Sequence, residues 1–226
     1  EYIRVPALNV ERDVLRLPPE ISFEAGTLIE PLGCAVRGLR RVRIEPGDAV
    51  AILDAGVSGL LFAQLASCWG AGLVAVIDFV PYRLETAQRL GADLTIQAGE
   101  EDSLARLRDA NEGRGADLVI VTSGSVKAME EGIRLADKGG TVLLYAPSPP
   151  GEHLLLDTNR FFWETHTLTT TYSCGPEDTR AALELIHRRR VQVEPLITHR
   201  LGLDQVGEGL RLMAEAKESL KIVIVP

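Results

Sequence analysis

From about residue 47 onward, short apolar runs rich in Val, Ile and Leu alternate with longer segments in which apolar residues recur at helical spacing. This alternation is typical of a parallel sheet covered by helices on both faces. We expect strands at Ala49–Leu53, Leu73–Asp78, Leu94–Gln97, Leu118–Thr122, Thr141–Tyr145 and His166–Thr171. We expect helices at Gly59–Cys68, Pro81–Leu90, Ser103–Asn111, Val126–Ala136 and Pro176–Arg188. The pattern therefore predicts an α/β fold built on a doubly wound parallel sheet.

The two flanks follow other patterns. Residues 1–46 contain several prolines and one clear helical stretch, around Phe23–Leu39, and we expect strand and loop before that helix. The C-terminal flank predicts a strand at Val193–His199, a helix at Leu203–Lys217 and a last strand at Lys221–Val225. We accordingly divide the chain into three parts, residues 1–46, 47–172 and 173–226.

Composition restricts the possible functions. The chain has 226 residues, of which 46% are hydrophobic and 25% charged, as expected of a globular protein with a real core. No apolar run approaches the roughly 20 residues that a membrane-spanning helix needs, so we expect no membrane partner. The net charge of −8 opposes binding to nucleic acid. The three cysteines are far apart and lack C-x-x-C spacing, which favours a reducing, cytoplasmic location over a disulfide framework.

The first predicted strand runs into a short turn and then a helix. Such a turn aims free backbone N–H groups and the positive end of the helix dipole at one point, where a diphosphate can bind. In the dinucleotide fingerprint G-x-G-x-x-G, the second and third glycines correspond to Gly56 and Gly59, and Asp54 takes the first place. We expect Val57 and Ser58 to donate N–H groups. A tight turn without a ligand is the alternative.

A second acidic marker follows at the end of the next predicted strand. Asp78 lies 19 residues after Gly59, where a carboxylate can accept hydrogen bonds from the hydroxyls of an adenine ribose. The same charge would repel a 2′-phosphate, so NAD is favoured over NADP, although Arg83 is close enough in sequence to blur the choice. A carboxylate that caps a helix or lies on the surface is the alternative.

Asp54 also permits a different cofactor. Leu53-Asp54-Ala55-Gly56 followed by Gly59 is similar to the first motif of S-adenosylmethionine-dependent methyltransferases, although Ser58 stands where that motif usually has glycine. A carboxylate about 4 Å from a diphosphate costs on the order of 1–4 kcal/mol, whereas S-adenosylmethionine has no phosphate. The two cofactors therefore remain alternatives on the motif alone.

The wider chain resembles the medium-chain, zinc-type alcohol dehydrogenase family, and especially its polyol and threonine dehydrogenase branch. The resemblance extends over essentially the whole chain. The stretches that carry it are Glu1–Pro6, Leu28–Leu32, Glu45–Asp48, Arg89–Asp93, Ala116–Ile120, Gly139–Val142, Glu194–His199 and Leu220–Ile224. The resemblance implies a Rossmann-type coenzyme domain, flanked at both ends by remnants of a GroES-like catalytic domain.

The resemblance also implies cofactors. A nicotinamide dinucleotide would carry the hydride, zinc would polarise the alcohol, and Glu30 would be a zinc ligand. We expect the other family ligands to lie in an N-terminal portion that this chain lacks. Cys34 is four residues after Glu30 and can share its helical face, but no histidine is near in sequence. A carboxylate that favours the start of a helix is the alternative for Glu30.

Three further residues lie at the ends of predicted strands, at the edge of the sheet where nicotinamide would bind in the family. They are Thr122, Ser123 and Tyr145, and ordinary loop turns are the alternative. Relatives often dimerise through the last strand of the coenzyme domain, here around Leu168–Tyr172, so we expect a homodimer. We also expect exposed apolar surface in the two flanks, at Ile3, Val5, Leu196 and Ile197, unless something covers it.

Together these observations predict an oxidoreductase that transfers a hydride between NAD(H) and a small alcohol or polyol. No catalytic residue can be assigned, because the four histidines are scattered and lack a nucleophilic partner. A non-catalytic nucleotide-binding or scaffold module, or a domain that binds S-adenosylmethionine, remains the alternative.

Overall fold

A computed structural model describes residues 4–226, so Glu1, Tyr2 and Ile3 of the first resembling stretch lie outside the described residues. Six parallel strands form one sheet in the order β3-β2-β1-β4-β5-β6. They are β1 (Ala49–Leu53), β2 (Leu73–Asp78), β3 (Leu94–Gln97), β4 (Ala116–Val121), β5 (Ala136–Leu144) and β6 (Thr167–Thr170). The predicted doubly wound parallel sheet is thus confirmed.

Helices cover both faces of the sheet. In chain order they are α1 (Ala7–Asp13), α2 (Phe23–Gly26), α3 (Ile29–Arg41), α4 (Val57–Cys68), α5 (Pro81–Arg89), α6 (Ser103–Ala110), α7 (Val126–Leu135), α8 (Thr158–Trp163), α9 (Pro176–His187) and α10 (Val206–Glu215). All five residues of β1 are buried. Val50 and Ile52 belong to one apolar core, and Ala51 and Leu53 belong to another on the opposite face. Burial on both faces explains the continuous apolar runs.

The strand order reverses at β1, which lies between β2 and β4. Because all the strands are parallel, their carboxyl ends share one edge of the sheet, and the helices that follow β1 and β4 leave in opposite directions. Ligands of doubly wound sheets bind in the crevice at this reversal. The turn after β1 is therefore the expected position of a ligand site.

The N-terminal flank differs from the expectation. Residues 7–13 form α1 instead of strand or loop. The single helix expected around Phe23–Leu39 is two helices, because α2 ends at Gly26 and α3 begins only at Ile29. Ser22 starts α2 by accepting the N–H of Ala25 at 3.0 Å. The sequence analysis also missed α8, which Asp157 caps by accepting two backbone N–H groups.

The C-terminal flank forms its own two-stranded parallel sheet. The strand β7 (Ile197–Gly202) begins later than expected, because Glu194–Leu196 forms a 3₁₀ turn, and it pairs with β8 (Lys221–Val225). Leu196 is 0% and Ile197 is 7% exposed, so the expectation that they lie on the surface was wrong, whereas Val5 is 49% exposed as expected. Within residues 4–226, none of the helices combines the length and apolar character that a membrane crossing requires.

Candidate functional site

The turn after β1 leads directly into α4. The first N–H that bonds within this helix is that of Leu60, which donates to the Gly56 carbonyl at 2.9 Å. The N–H groups of Val57 and Ser58 come earlier in the helix and are available to another acceptor, as in any first helical turn. They lie at the positive end of the dipole of a 12-residue helix. This geometry suits an anion, so both residues remain predicted diphosphate donors.

Gly59 allows α4 to start this close to the strand. A Cβ atom at this position would lie 1.9 Å from the carbonyl oxygen of Asp54. No side chain larger than hydrogen fits there without a shift of the backbone. The third glycine of the fingerprint is thus required by close packing between helix and strand.

Asp54 partly fills the turn. Its φ is +80°, a left-handed conformation that glycine adopts without strain and that aspartate adopts at a cost. Its Oδ1 accepts the N–H of Gly56 at 3.1 Å and receives Arg83 Nη1 at 3.1 Å. The Gly56 amide therefore donates to a side chain of the protein itself, at the turn where the fingerprint glycine was expected to let the backbone approach a diphosphate.

Asp78 ends β2 and supports the same turn. Its Oδ2 accepts the N–H of Ala55 at 2.7 Å, and its Oδ1 accepts the N–H of Val80 at 2.8 Å. Arg83 Nη1 lies 3.6 Å from Asp78 Oδ2. Burial and the neighbouring Asp78 carboxylate raise the pKa of Asp54, and the Arg83 guanidinium opposes that rise. We call the turn from Asp54 to Gly59, together with Asp78 and Arg83, the nucleotide corner.

A cleft of about 730 Å³ opens beside the nucleotide corner. This volume lies in the range of small-molecule sites. It is lined at the carboxyl ends of the strands by Leu53, Asp54, Asp78 and Ser123 among others. Among the lining residues that were not expected from the sequence are three charged ones, Lys127, Glu131 and Arg134. They lie on α7, where no fingerprint spacing singles them out.

Two expected site residues, Thr122 and Tyr145, do not line this cleft. The Thr122 hydroxyl lies 3.0 Å from the carbonyl oxygens of both Leu53 and Asp54 and shares its one hydrogen between them, so it braces the turn from the neighbouring strand. The Tyr145 ring packs edge-to-face against Phe62 with 5.1 Å between centroids. Burial raises the pKa of Tyr145 to about 12, while a hydrogen bond with Ser58 lowers it. The cofactor roles of all these residues stay predictions.

A second group of reactive side chains lies where α3 meets the start of α9. Oxygen or sulfur atoms of Glu30, Cys34 and Cys174 lie within 4.8 Å of one another. The Cys34 thiol donates to Glu30 Oε1 at 3.2 Å. Burial, followed by the hydrogen bond with Glu30, raises the pKa of Cys34, and burial also raises that of Cys174. We call these three residues the thiol corner.

The thiol corner and the nucleotide corner are neighbours. Besides burial, Cys34 and Glu30 raise the pKa of Tyr145 and Ser58 lowers it, so Tyr145 is close to both corners. The expected zinc ligand Glu30 thus lies near the residue pair that joins the two corners, Ser58 and Tyr145. Sequence reasoning paired Glu30 with Cys34 but missed Cys174, which is 144 positions from Glu30.

Comparisons with known proteins agree with this architecture. The family model described as zinc-binding dehydrogenase matches residues 58–188. L-threonine 3-dehydrogenase of Bacillus velezensis is 32% identical over 228 residues, and erythritol/L-threitol dehydrogenase of Mycolicibacterium smegmatis is 28% identical over 225 residues. Both alignments cover 100% of this chain, and they cover 64% and 61% of those two proteins.

A solved structure extends the agreement to the fold. An alcohol dehydrogenase from Thermus sp. ATN1 superposes with a TM-score of 0.87 at 28% identity, covering 96% of this chain and 62% of that one. The chain thus spans somewhat less than two thirds of the length of these relatives. The Rossmann-type sheet, its Gly59 contact and the extent of the match agree with one another, and the chain belongs to the zinc-binding dehydrogenase family.

Proposed function

We propose that this chain is the coenzyme-binding part of an NAD-linked oxidoreductase that acts on a small alcohol or polyol. The observation that carries the proposal is the first turn of α4, where the N–H groups of Val57 and Ser58 precede the first helical hydrogen bond and Asp78 accepts the N–H of Ala55 in the same turn. Two relatives named for threonine and for erythritol support the substrate class. Dehydrogenase relatives favour this function over a scaffold or a methyltransferase-like domain.

NAD, when bound, supplies the nicotinamide ring that accepts a hydride from the carbinol carbon. Residues of this chain bind and position the coenzyme. Val57 and Ser58 bind the diphosphate through their N–H groups, and Gly59 keeps the helix close enough for them to reach it. Asp78 has accepting capacity left for a ribose hydroxyl, because a carboxylate offers about four lone-pair sites. Ser123 lines the cleft at the end of β4.

The nucleotide corner supports NAD rather than NADP. A 2′-phosphate needs a cation, and Arg83 is the cation of the nucleotide corner. Its guanidinium already lies 3.1 Å from Asp54 and 3.6 Å from Asp78, so its charge is compensated by two carboxylates. A phosphate placed there would meet net negative charge.

Parallel calorimetric titrations with NAD, NADP and S-adenosylmethionine test the proposal. We expect heat with NAD and at least about tenfold weaker binding of NADP, the factor that 1.4 kcal/mol of repulsion produces. Heat with S-adenosylmethionine alone would contradict the oxidoreductase function. Absence of heat with all three compounds would favour the scaffold.

The substitution Asp78→Asn sharpens this test, since it removes the charge that we hold responsible for rejecting a 2′-phosphate. The affinities of the variant for NAD and for NADP should therefore be closer to each other than those of the wild-type chain. Asp93→Asn is a matched control, because Asp93 accepts the N–H of Val74 at 2.8 Å beside the opposite end of β2. An equal effect in both variants would mean that general destabilisation, not ribose recognition, causes the change.

We further propose that the chain forms a homodimer through β6. This strand pairs with β5 on one side and is the last in the sheet among the described residues, and Tyr172 just beyond it is 90% exposed. An open strand edge of this kind is prone to pair with a second copy. Scattering over a dilution series checks the state, and a monomer at every concentration would contradict the dimer.

Zinc is the second cofactor that we propose, with Glu30 as one ligand. The thiol corner fits zinc chemically, because carboxylate oxygen and cysteine sulfur are both ordinary zinc ligands.

We also propose a cytoplasmic location. The three cysteines are free thiols, and the cytoplasm is a reducing compartment that keeps thiols in this form. Fractionation of cells with an antibody against the chain tests the location, and recovery outside the cytoplasm would contradict it.

A further inference from the structure

We propose that Glu30, Cys34 and Cys174 bind one zinc ion, or a cation of similar softness, as a site complete within this chain. The resemblance supplies only Glu30, whereas the two thiols come from the structure. The inference rests on the zinc proposed above and names its ligands, and because the site requires no NAD it can be tested separately from coenzyme binding.

The distances suit a tetrahedral ion. With Zn–S near 2.3 Å and Zn–O near 2.1 Å, ligand atoms of one tetrahedron lie about 3.6–3.8 Å apart. The three donor atoms already lie within 4.8 Å of one another, and Cys34 Sγ is 3.2 Å from Glu30 Oε1. Small rotations of the side chains therefore bring all three to one ion without movement of the backbone.

The backbone holds the donors in place. Glu30 and Cys34 are one turn apart on α3, so they share a face. The loop before α9 packs against α3 at Gly33, where a Cβ would be in contact with Cys174 Sγ at 3.4 Å. The approach is fixed by Asp178, which accepts the Gly175 N–H at 2.9 Å and pairs with Arg40 of α3.

The donor set selects the metal. Two sulfurs and one carboxylate oxygen suit zinc and its softer neighbours, whereas magnesium and calcium prefer oxygen alone. Three protein ligands leave a fourth position for water or another small ligand. Glu30 and Cys174 also line a cleft of about 520 Å³, so that position can be reached from solvent.

Titration of the reduced chain with Co²⁺ tests the proposal, because cobalt replaces zinc and its bond to thiolate absorbs light. We expect a thiolate-to-cobalt charge-transfer band in the near ultraviolet that saturates at one ion per chain. Cys34→Ser and Cys174→Ser should each weaken cobalt binding at least about tenfold, since even an outer-shell loss costs roughly 10–100-fold. Excess Zn²⁺ should abolish the band.

The third cysteine provides a matched control. Cys68 is remote from the thiol corner and donates to the Arg190 carbonyl at 3.3 Å, so Cys68→Ser should keep the band and the affinity unchanged. Glu30→Gln is a second test variant whose site is exposed and whose folding is therefore safer, and it should also weaken binding. Circular dichroism of each variant verifies that the fold is intact.

The proposal is overturned if the wild-type chain gives no charge-transfer band, or if folded Cys34→Ser and Cys174→Ser variants bind cobalt as tightly as Cys68→Ser. Titration of thiols before metal addition should find all three cysteines free, and a persistent Cys34–Cys174 disulfide would also overturn it. Calorimetry with NAD on the same samples reports on the nucleotide corner, so failure of either function can be recognised by itself.

Discussion

The nucleotide corner and the thiol corner both hold carboxylates close to the start of a helix, yet they handle negative charge differently. In the nucleotide corner, Asp54 and Asp78 are bound by backbone N–H groups and by Arg83. In the thiol corner, Glu30 receives a hydrogen bond from Cys34, a weak donor. The nucleotide corner thus contains its own cation, Arg83, whereas the thiol corner contains three donor groups that can bind a metal ion from solution.

The difference has a consequence for ligands. An anion that enters the nucleotide corner competes with Asp54 for the Gly56 amide, so binding there is weaker than the fold allows. A cation that binds in the thiol corner finds its donor atoms already close together, so the entropy cost of ordering these side chains is small.

Gly59→Ala should damage the nucleotide corner most. Its new Cβ would lie 1.9 Å from a carbonyl oxygen, so we expect the free energy of unfolding to fall by about 3 kcal/mol, with loss of NAD binding. Gly207→Ala is the control, because its helical site has open space and should gain up to about 1 kcal/mol. Denaturant titration measures both, and equal stabilities would contradict the close packing.

Metal should stabilise the chain through the thiol corner. At free Zn²⁺ about 100 times its Kd, the free energy of unfolding should rise by about 2.7 kcal/mol. Thermal unfolding with Zn²⁺ and with chelator measures the effect. Cys68→Ser should retain it, and Cys174→Ser should lose most of it. A stabilisation that survives in Cys174→Ser would locate the ion elsewhere and remove the contrast between the corners.

Asp54→Gly should strengthen the nucleotide corner as a ligand site. It frees the Gly56 amide, removes a carboxylate and suits the φ of +80°, so NAD should bind about tenfold more tightly. Glu112→Gly is the matched control, because Glu112 also has a positive φ, of 53°, but lies away from the cleft. If calorimetry finds weaker binding in Asp54→Gly, the proposed diphosphate geometry is wrong.

A smaller effect should appear with pH. Because the pKa of Asp54 is raised by burial and by Asp78, the folded chain binds this proton more tightly than the unfolded chain does. The contribution of Asp54 to stability therefore grows as pH falls through its folded pKa toward the unfolded value of about 3.9. Affinity for NAD should rise over the same interval, by less than about tenfold. Asp54→Asn should flatten that part of the profile, and an unchanged profile would contradict the assignment.

The sheet could be predicted from sequence because its strands are buried on both faces. The bounds of β1, β2 and β3 agree with the expected ones, since β1 and β2 are apolar runs that end at turns and β3 alternates apolar and polar residues shortly after Gly91. The flanks were harder to predict. The break between α2 and α3 lies at residues 27–28, where the Thr27 hydroxyl donates to the Glu24 carbonyl, and helical periodicity continues across it.

The candidate site could be predicted only in part. Fingerprint spacing located Gly56, Gly59 and Asp78, because spacing along the chain reports local geometry. It could not report that Asp54 takes the Gly56 amide, which depends on a side-chain orientation. Nor could it bring Cys174 to Glu30, because that contact depends on the packing of two helices far apart in the chain.

The left-handed backbone at Asp54 also has a genetic consequence. Codons for aspartate and glycine differ at a single base, so one point mutation produces the residue that this backbone favours. A growth selection limited by coenzyme affinity should therefore recover that change early, ahead of variants that need two base changes in one codon. A single base change would thus restore the first glycine of the dinucleotide fingerprint in this chain.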